Sequence, residues 1–189
     1  TITEHMLNAV VADIASWRCL GLDPGIISFH ASEFSFLNPD FANLLTRKID
    51  AMNIPRSSLE VEITETVLWG DDLKLVGQLM AELRSAGLKI SLDDFGPGYA
   101  SLTHLRDFPI NTLKIDQSFI AGLGKKPQTT AIVKAIVELG HNLGMAIVAE
   151  GIETQSQLDF LHSIGCDNGQ GYLISKPLPA DNVLKLLRG

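Results

Sequence analysis

Strand-like and helix-like segments alternate along this chain about six times, which predicts an α/β fold on a parallel sheet, open or closed. Two further observations agree. Hydrophobic residues make up 46% of the 189 positions, enough for one sizeable core, with no linker, low-complexity tract or internal repeat. The expected strands also end in acids, and in a closed (β/α)8 barrel the chemistry gathers at the C-terminal ends of the strands.

The elements follow in order. Thr1 to Trp17 reads as a helix with Thr3 as N-cap and Met6, Leu7, Val10, Val11 and Ile14 on one face. Gly21 to Gly25 is a turn and Ile26 to Phe29 a short strand. Asn38-Pro39 opens a helix to about Met52, with Phe41, Leu44, Leu45 and Ile49 inward. Leu59 to Ile63 is a second strand, ending near Glu62 and Glu65, and Asp71 or Asp72 caps the helix that ends near Gly87. Leu88, Ile90 and Leu92 mark a third strand, followed by a short helix around Ser101 to Arg106. Thr112 to Ile115 is a strand carrying Lys114 and followed by Asp116. Thr129 to Leu143 is an apolar helix, and Met145 to Ala149 a strand ending in Glu150-Gly151. Thr154 caps a helix to Ile164, Gln170 to Ile174 is a last strand, and Ala180 to Leu187 is the closing helix.

The stretch Leu88–Leu102 organises the rest. Its strand runs into two adjacent acids, Asp93 and Asp94, and then into the turn Gly96-Pro97-Gly98. Neighbouring strand residues point to opposite faces, so both acids reach one centre only where the strand ends and the backbone turns. Paired carboxylates repel unless a cation or proton lies between them. Glu62, Asp93, Asp94, Asp116 and Glu150, with Lys114 and Gln170, all fall at expected strand ends. One such acid reads as a helix cap; acids on four strands facing one mouth call for a bound cation.

Net charge is −7 and the pI about 5.1, which argues against duplex nucleic acid as a partner. A phosphate substrate remains compatible, because bound cations supply the positive charge. Oxygen ligands without Cys or an HExxH motif suit Mg²⁺ or Mn²⁺, with Ca²⁺ as a further candidate, and argue against structural zinc. A central carboxylate bridging two ions about 4 Å apart would activate water for in-line attack on a phosphodiester. Lys114, flanked by Leu113 and Ile115, lies on the opposite strand face and suits a water or a phosphate oxygen. A Schiff-base aldolase using Lys114 is a third reading, disfavoured because the acids keep the amine protonated. Cys19 and Cys166 read as free thiols of a reducing cytoplasm, and no apolar run is long enough to span a membrane. A chain starting at Thr1 without a signal-peptide layout reads as a piece of a longer protein, whose upstream part could carry a membrane anchor.

Five motifs in order resemble the EAL domain, the bacterial phosphodiesterase domain that linearises cyclic di-GMP. They are Glu60-Val-Glu-Ile-Thr-Glu65, Asp93-Asp-Phe-Gly-Pro-Gly-Tyr-Ala-Ser-Leu102, Leu113-Lys-Ile-Asp-Gln-Ser-Phe119, Val148-Ala-Glu-Gly-Ile-Glu-Thr154 and Gln170-Gly-Tyr-Leu173, with Ser175-Lys-Pro-Leu-Pro179 as a fitting end. The resemblance covers nearly all of residues 1–189 and implies a modified (β/α)8 TIM-like barrel, here about the last six βα units with the N-terminal strands missing. It implies that Glu62 and Asp93 bind a first ion and that Asp93, Asp94 and Glu150 bind a second, the ions being Mg²⁺ or Mn²⁺. Lys114 would position the attacking water, Glu150 would also act as a base, and Glu65 would hold the loop after Asp93. Gln170 and Asp116 would lie by the substrate. The resemblance further implies a homodimer through the loop after Asp93, and sensor or GGDEF domains in the same polypeptide.

Two departures stand out. The family's Glu-Ala-Leu segment, with a metal-binding Glu and a substrate-binding Arg, has no counterpart after Thr1. Ser28 stands where the family has a metal-binding Asn, and its hydroxyl is a poorer ligand than an amide carbonyl. His30 shares its strand face and either compensates or packs. The departures leave an alternative, a catalytically degenerate EAL domain acting as a cyclic di-GMP receptor or protein-docking module.

Overall fold

The structure, a computed structural model, describes residues 2–68, 72–96 and 102–188. In chain order the elements begin with α1 (Ile2–Cys19), β1 (Ile27–His30), α2 (Glu33–Phe36), α3 (Phe41–Ala51), β2 (Leu59–Thr64), α4 (Leu73–Ser85) and β3 (Lys89–Phe95). They continue with α5 (Leu102–Asp107), β4 (Thr112–Ile115), α6 (Gln117–Ala121), α7 (Pro127–Asn142), β5 (Ala146–Ala149), α8 (Gln155–Ser163), β6 (Asn168–Gly169) and α9 (Ala180–Leu187). The strand pairings described are parallel, and helices connect the strands, as the alternation requires. Two compact units share the chain: Thr1–Ile63, Asp71–Ile90 and Pro177–Gly189 form the first, and Thr64–Gly70 with Ser91–Lys176 the second.

In the first unit, β1 pairs with β2 in the register Ile27↔Leu59 to His30↔Glu62. Residues 59–63 of β2 are buried on both faces, the pattern of a covered parallel strand. Leu59, Val61 and Ile63 take one face, and Glu60 and Glu62 the other. Leu7, Val11 and Ile14 of α1 are buried, as are Phe41, Leu45 and Ile49 of α3. Met6 is 39% exposed and lies off the buried face that the spacing assigned to it. The α1 helix already begins at Ile2, so Thr3 lies inside its first turn and is not the N-cap. Asp72 occupies the N-cap position of α4 without a side-chain cap bond, while Asp71 lies outside the described residues.

In the second unit, β4 pairs with β3 and β5, and β5 pairs with β6. Its core holds Leu92, Leu105, Leu113, Ile115, Val133, Val137, Ile147 and Leu161. Gly140 lets α7 pass close to β5, since a Cβ there would lie 2.2 Å from Ile147 Cδ1. Thr154 caps α8 as expected, through a reciprocal capping box with Gln157. The last expected strand is corrected. Pairing ends at Gly169, and the segment 170–174 leaves the sheet, with Tyr172 63% exposed. There Leu173 N–H donates to the Ile152 carbonyl, and Ser175 N–H to the Gly171 carbonyl, in place of a strand ladder.

Candidate active site

Three neighbouring strands of the second unit bring one cation and three acids together. Thr112 to Ile115 alternate in direction along β4, so Leu113 and Ile115 enter the apolar core while Lys114 takes the other face. The β3–β4 register runs Leu92↔Leu113 and then Phe95↔Ile115. Two residues of β3, Asp93 and Asp94, therefore stand against the single Lys114, which is the geometry of a bulge. Asp94 takes a left-handed φ of +56°, a conformation Asp tolerates better than most residues. Both acids thus reach one centre through a bulge within the strand's length, one residue before β3 ends, and not through a turn at the strand's end as the sequence suggested. Of the expected turn, only Gly96 lies within the described residues; Pro97 and Gly98 lie outside them.

Lys114 is 6% exposed and Asp93 4%. The Lys114 Nζ lies 3.0 Å from Asp93 Oδ1 and 2.7 Å from Glu150 Oε1. Glu150 follows directly after β5, where its N–H donates to the Ile115 carbonyl at 3.1 Å. Gln170 follows β6, and its N–H donates to the Ala149 carbonyl at 2.9 Å. Its side-chain Nε2 donates to Glu150 Oε1 at 2.7 Å. Burial pushes the Glu150 carboxyl above its ordinary pKa; Lys114 opposes that, and the charges of Asp93 and Asp94 add to it.

Asp93, Asp94 and Glu150 each offer a carboxylate oxygen, all within 4.8 Å of one another. That all-oxygen donor set fits a hard divalent cation. Ser91, two residues before Asp93 on the same strand face, adds a buried hydroxyl with no hydrogen-bond partner among the described residues. Sequence reasoning did not single it out, although the alternation of Ile90, Ser91, Leu92 and Asp93 carried the signal.

Glu65 is buried, and its Oε1 accepts the Gly96 N–H at 2.9 Å, tying the chain just past β3. Gly96 has φ +134°, and a Cβ there would meet the Phe119 ring at 2.0 Å. Asp116 is the N-cap of α6, its Oδ1 accepting the Ser118 N–H at 2.9 Å. In the first unit, Ser28 Oγ donates to Glu60 Oε2 at 3.2 Å, and His30 Nε2 lies 3.3 Å from Glu62 Oε2. Glu62 therefore belongs to the first unit, and Asp93 and Lys114 to the second.

The family model of the EAL domain matches residues 1–177. The chain belongs to the EAL domain family. It is 35% identical over 187 residues to the cyclic di-GMP phosphodiesterase PA2567 of Pseudomonas aeruginosa, covering 99% of this chain and 32% of that protein. Among solved structures, the EAL domain of Mycobacterium smegmatis DcpA superposes with a TM-score of 0.91 at 33% identity, over 96% of this chain and 82% of that one. The PaMucR phosphodiesterase in complex with c-di-GMP gives a TM-score of 0.89 at 34% identity, over 96% of this chain and 73% of that one. The chain spans about a fifth to a third of the length of the curated relatives it matches. The EAL match thus agrees with the α/β, TIM-like fold expected from the sequence motifs.

Proposed function

We propose that residues 1–189 act as one EAL-type phosphodiesterase domain that hydrolyses cyclic di-GMP to the linear dinucleotide with Mg²⁺ or Mn²⁺. One observation carries the reading: a buried lysine held between two carboxylates, with a third beside them, in a chain of this family. Relatives named as cyclic di-GMP phosphodiesterases support the substrate. In the reaction, water adds to phosphorus, the bond from phosphorus to one ribose oxygen breaks, and that oxygen takes up a proton.

The chain's residues divide the work by position. Asp93, Asp94 and Glu150 would hold one ion, and Glu62 would be a ligand as well. Such an ion, when bound, neutralises phosphoryl oxygens and acidifies water. Lys114 points a buried ammonium at the same centre, suited to orient the attacking water or a phosphoryl oxygen by a charged hydrogen bond. Glu150, held 2.7 Å from the Lys114 ammonium at the same centre, would also take the proton of the attacking water as a base. Gln170 fixes the Glu150 carboxylate and so acts as a positioning residue. Glu65 holds the backbone after β3. Asp116 would lie by the substrate while capping α6.

In this reading the domain works in the cytoplasm, within a longer polypeptide carrying sensor or GGDEF domains, and pairs with a second copy through the loop after Asp93. Among the described residues, no helix is long and apolar enough to cross a membrane. The phosphodiesterase relatives do not favour the alternative of a degenerate receptor or docking module. The test is chromatographic: the full-length protein with cyclic di-GMP and Mn²⁺ should yield linear product, and Glu150→Gln should abolish it. No product under any divalent ion would sink the reading.

A further inference from the structure

Across the β1–β2 pair, Ser28 stands opposite Glu60 and His30 opposite Glu62. Period-two alternation puts all four side chains on one face, away from Phe29 and Val61, which are buried in the core. Within this group the two positions are engaged differently. The Ser28 hydroxyl is turned to Glu60, at 3.2 Å. The His30 imidazole is turned to Glu62, with Nε2 3.3 Å from Oε2. Two donors about 2.1 Å from one first-row divalent ion lie about 3.0–3.4 Å apart when they are neighbours in its coordination sphere. The His30–Glu62 separation falls inside that range. Glu62 is buried while the His30 side chain is 55% exposed, so one donor is fixed by the sheet and the other is open to an entering ion.

We infer that His30 is a nitrogen ligand that joins Glu62 on a divalent ion, shifting the ion preference of this domain from Mg²⁺ toward transition ions such as Mn²⁺ and Co²⁺. The inference rests on the metal-dependent reading above. Its chemistry follows from ligand type: oxygen-only sites suit Mg²⁺, whereas imidazole favours ions along the transition series. Ser28, bonded to Glu60, contributes no ligand in this arrangement. His30 restores a donor on the same face, two residues further along the strand.

The test loads the full-length protein with Mn²⁺ and records pulsed EPR, with histidine at natural abundance and labelled with ¹⁵N. The expected result is a nitrogen coupling that changes with the label and disappears in His30→Ala. That substitution removes a largely exposed side chain, and a thermal melt of the metal-free variant checks folding. The labelled wild-type measurement needs no variant at all. Calorimetric titrations with Mn²⁺ and with Mg²⁺ give the second readout: the Mn²⁺ to Mg²⁺ affinity ratio should fall about tenfold or more in His30→Ala, through loss of Mn²⁺ affinity. Bound Mn²⁺ without a nitrogen coupling, or a coupling that persists in His30→Ala, overturns the inference and leaves the phosphodiesterase reading standing. Failure to bind any divalent ion overturns both.

Discussion

Replacing Lys114 by Met isolates what the buried cation does for the acids around it. The side chains have similar length, so the substitution removes charge with little change in volume. In the wild type, the Nζ lies 3.0 Å from Asp93 and 2.7 Å from Glu150, and Lys114 and Asp93 are almost wholly buried. Taking away one partner of a buried ion pair costs about 3–5 kcal/mol, mainly because the remaining charge stays desolvated. At about 2–4 °C per kcal/mol for a chain of this size, the metal-free variant should melt roughly 6–20 °C lower at pH 7.5. The pH dependence carries a definite sign. Without Lys114, burial and the charges of Asp93 and Asp94 keep the Glu150 carboxyl above its ordinary value of 4.5 with less opposition. A raised carboxyl pKa destabilises above the folded pKa and ceases to do so as pH falls toward the unfolded one. The deficit should therefore shrink as pH approaches 4.5, and Mn²⁺ should restore part of it at pH 7.5. Differential scanning calorimetry of both proteins from pH 4.5 to 7.5 reads this directly. A melting point within about 2 °C of wild type at pH 7.5, or a deficit independent of pH, would refute the reasoning.

Further outcomes follow from other contacts. Glu65→Ala leaves the Gly96 N–H without its carboxylate acceptor and should cost about 1–3 kcal/mol in urea denaturation, whereas Glu65→Gln keeps an acceptor oxygen and should cost less. Thr154→Ala removes half of the α8 capping box and should cost about 1 kcal/mol by the same measurement. Burial raises the Asp167 carboxyl, but hydrogen bonds from His141 and the Ile147 N–H outweigh it and hold the pKa below the ordinary 3.8. Its stabilising contribution is thus present above pH 3.8 and lost as pH falls through the lower folded value, so Asp167→Asn should match wild type more closely in strong acid than at pH 6. Equilibrium denaturation at both pH values checks it.

The elements legible in the sequence are those whose pattern is local. The alternation of Leu113 and Ile115 around Lys114 marks β4, and Thr154 with Gln157 marks the start of α8. The helices α2 and α6, at four and five residues, are too short for a 3.6-residue period to show. The run Gln170 to Ile174 looks like a strand because Leu173 and Ile174 are apolar, yet past the Gln170 N–H, which still donates to the Ala149 carbonyl, its backbone bonds go to Ile152 and to its own turn. Gly171 was the signal against a strand, since a Cβ there would meet the Ile152 backbone at 2.2 Å. At the site, the acids and Lys114 could be named from strand ends. How they meet could not, because the bulge that sets Asp93 and Asp94 against Lys114 depends on the register of β3 on β4. The Gln170–Glu150 bond likewise depends on two strand ends separated by twenty residues.

The most direct test of the central claim is a calorimetric titration of cyclic di-GMP into the full-length protein, with Mn²⁺ and after its removal by chelation, while linear product is measured in the same samples. The account predicts turnover with Mn²⁺, none after chelation, and recovery when Mn²⁺ is returned. Binding unaffected by chelation, with no linear product in either sample, would contradict it and leave a nucleotide receptor.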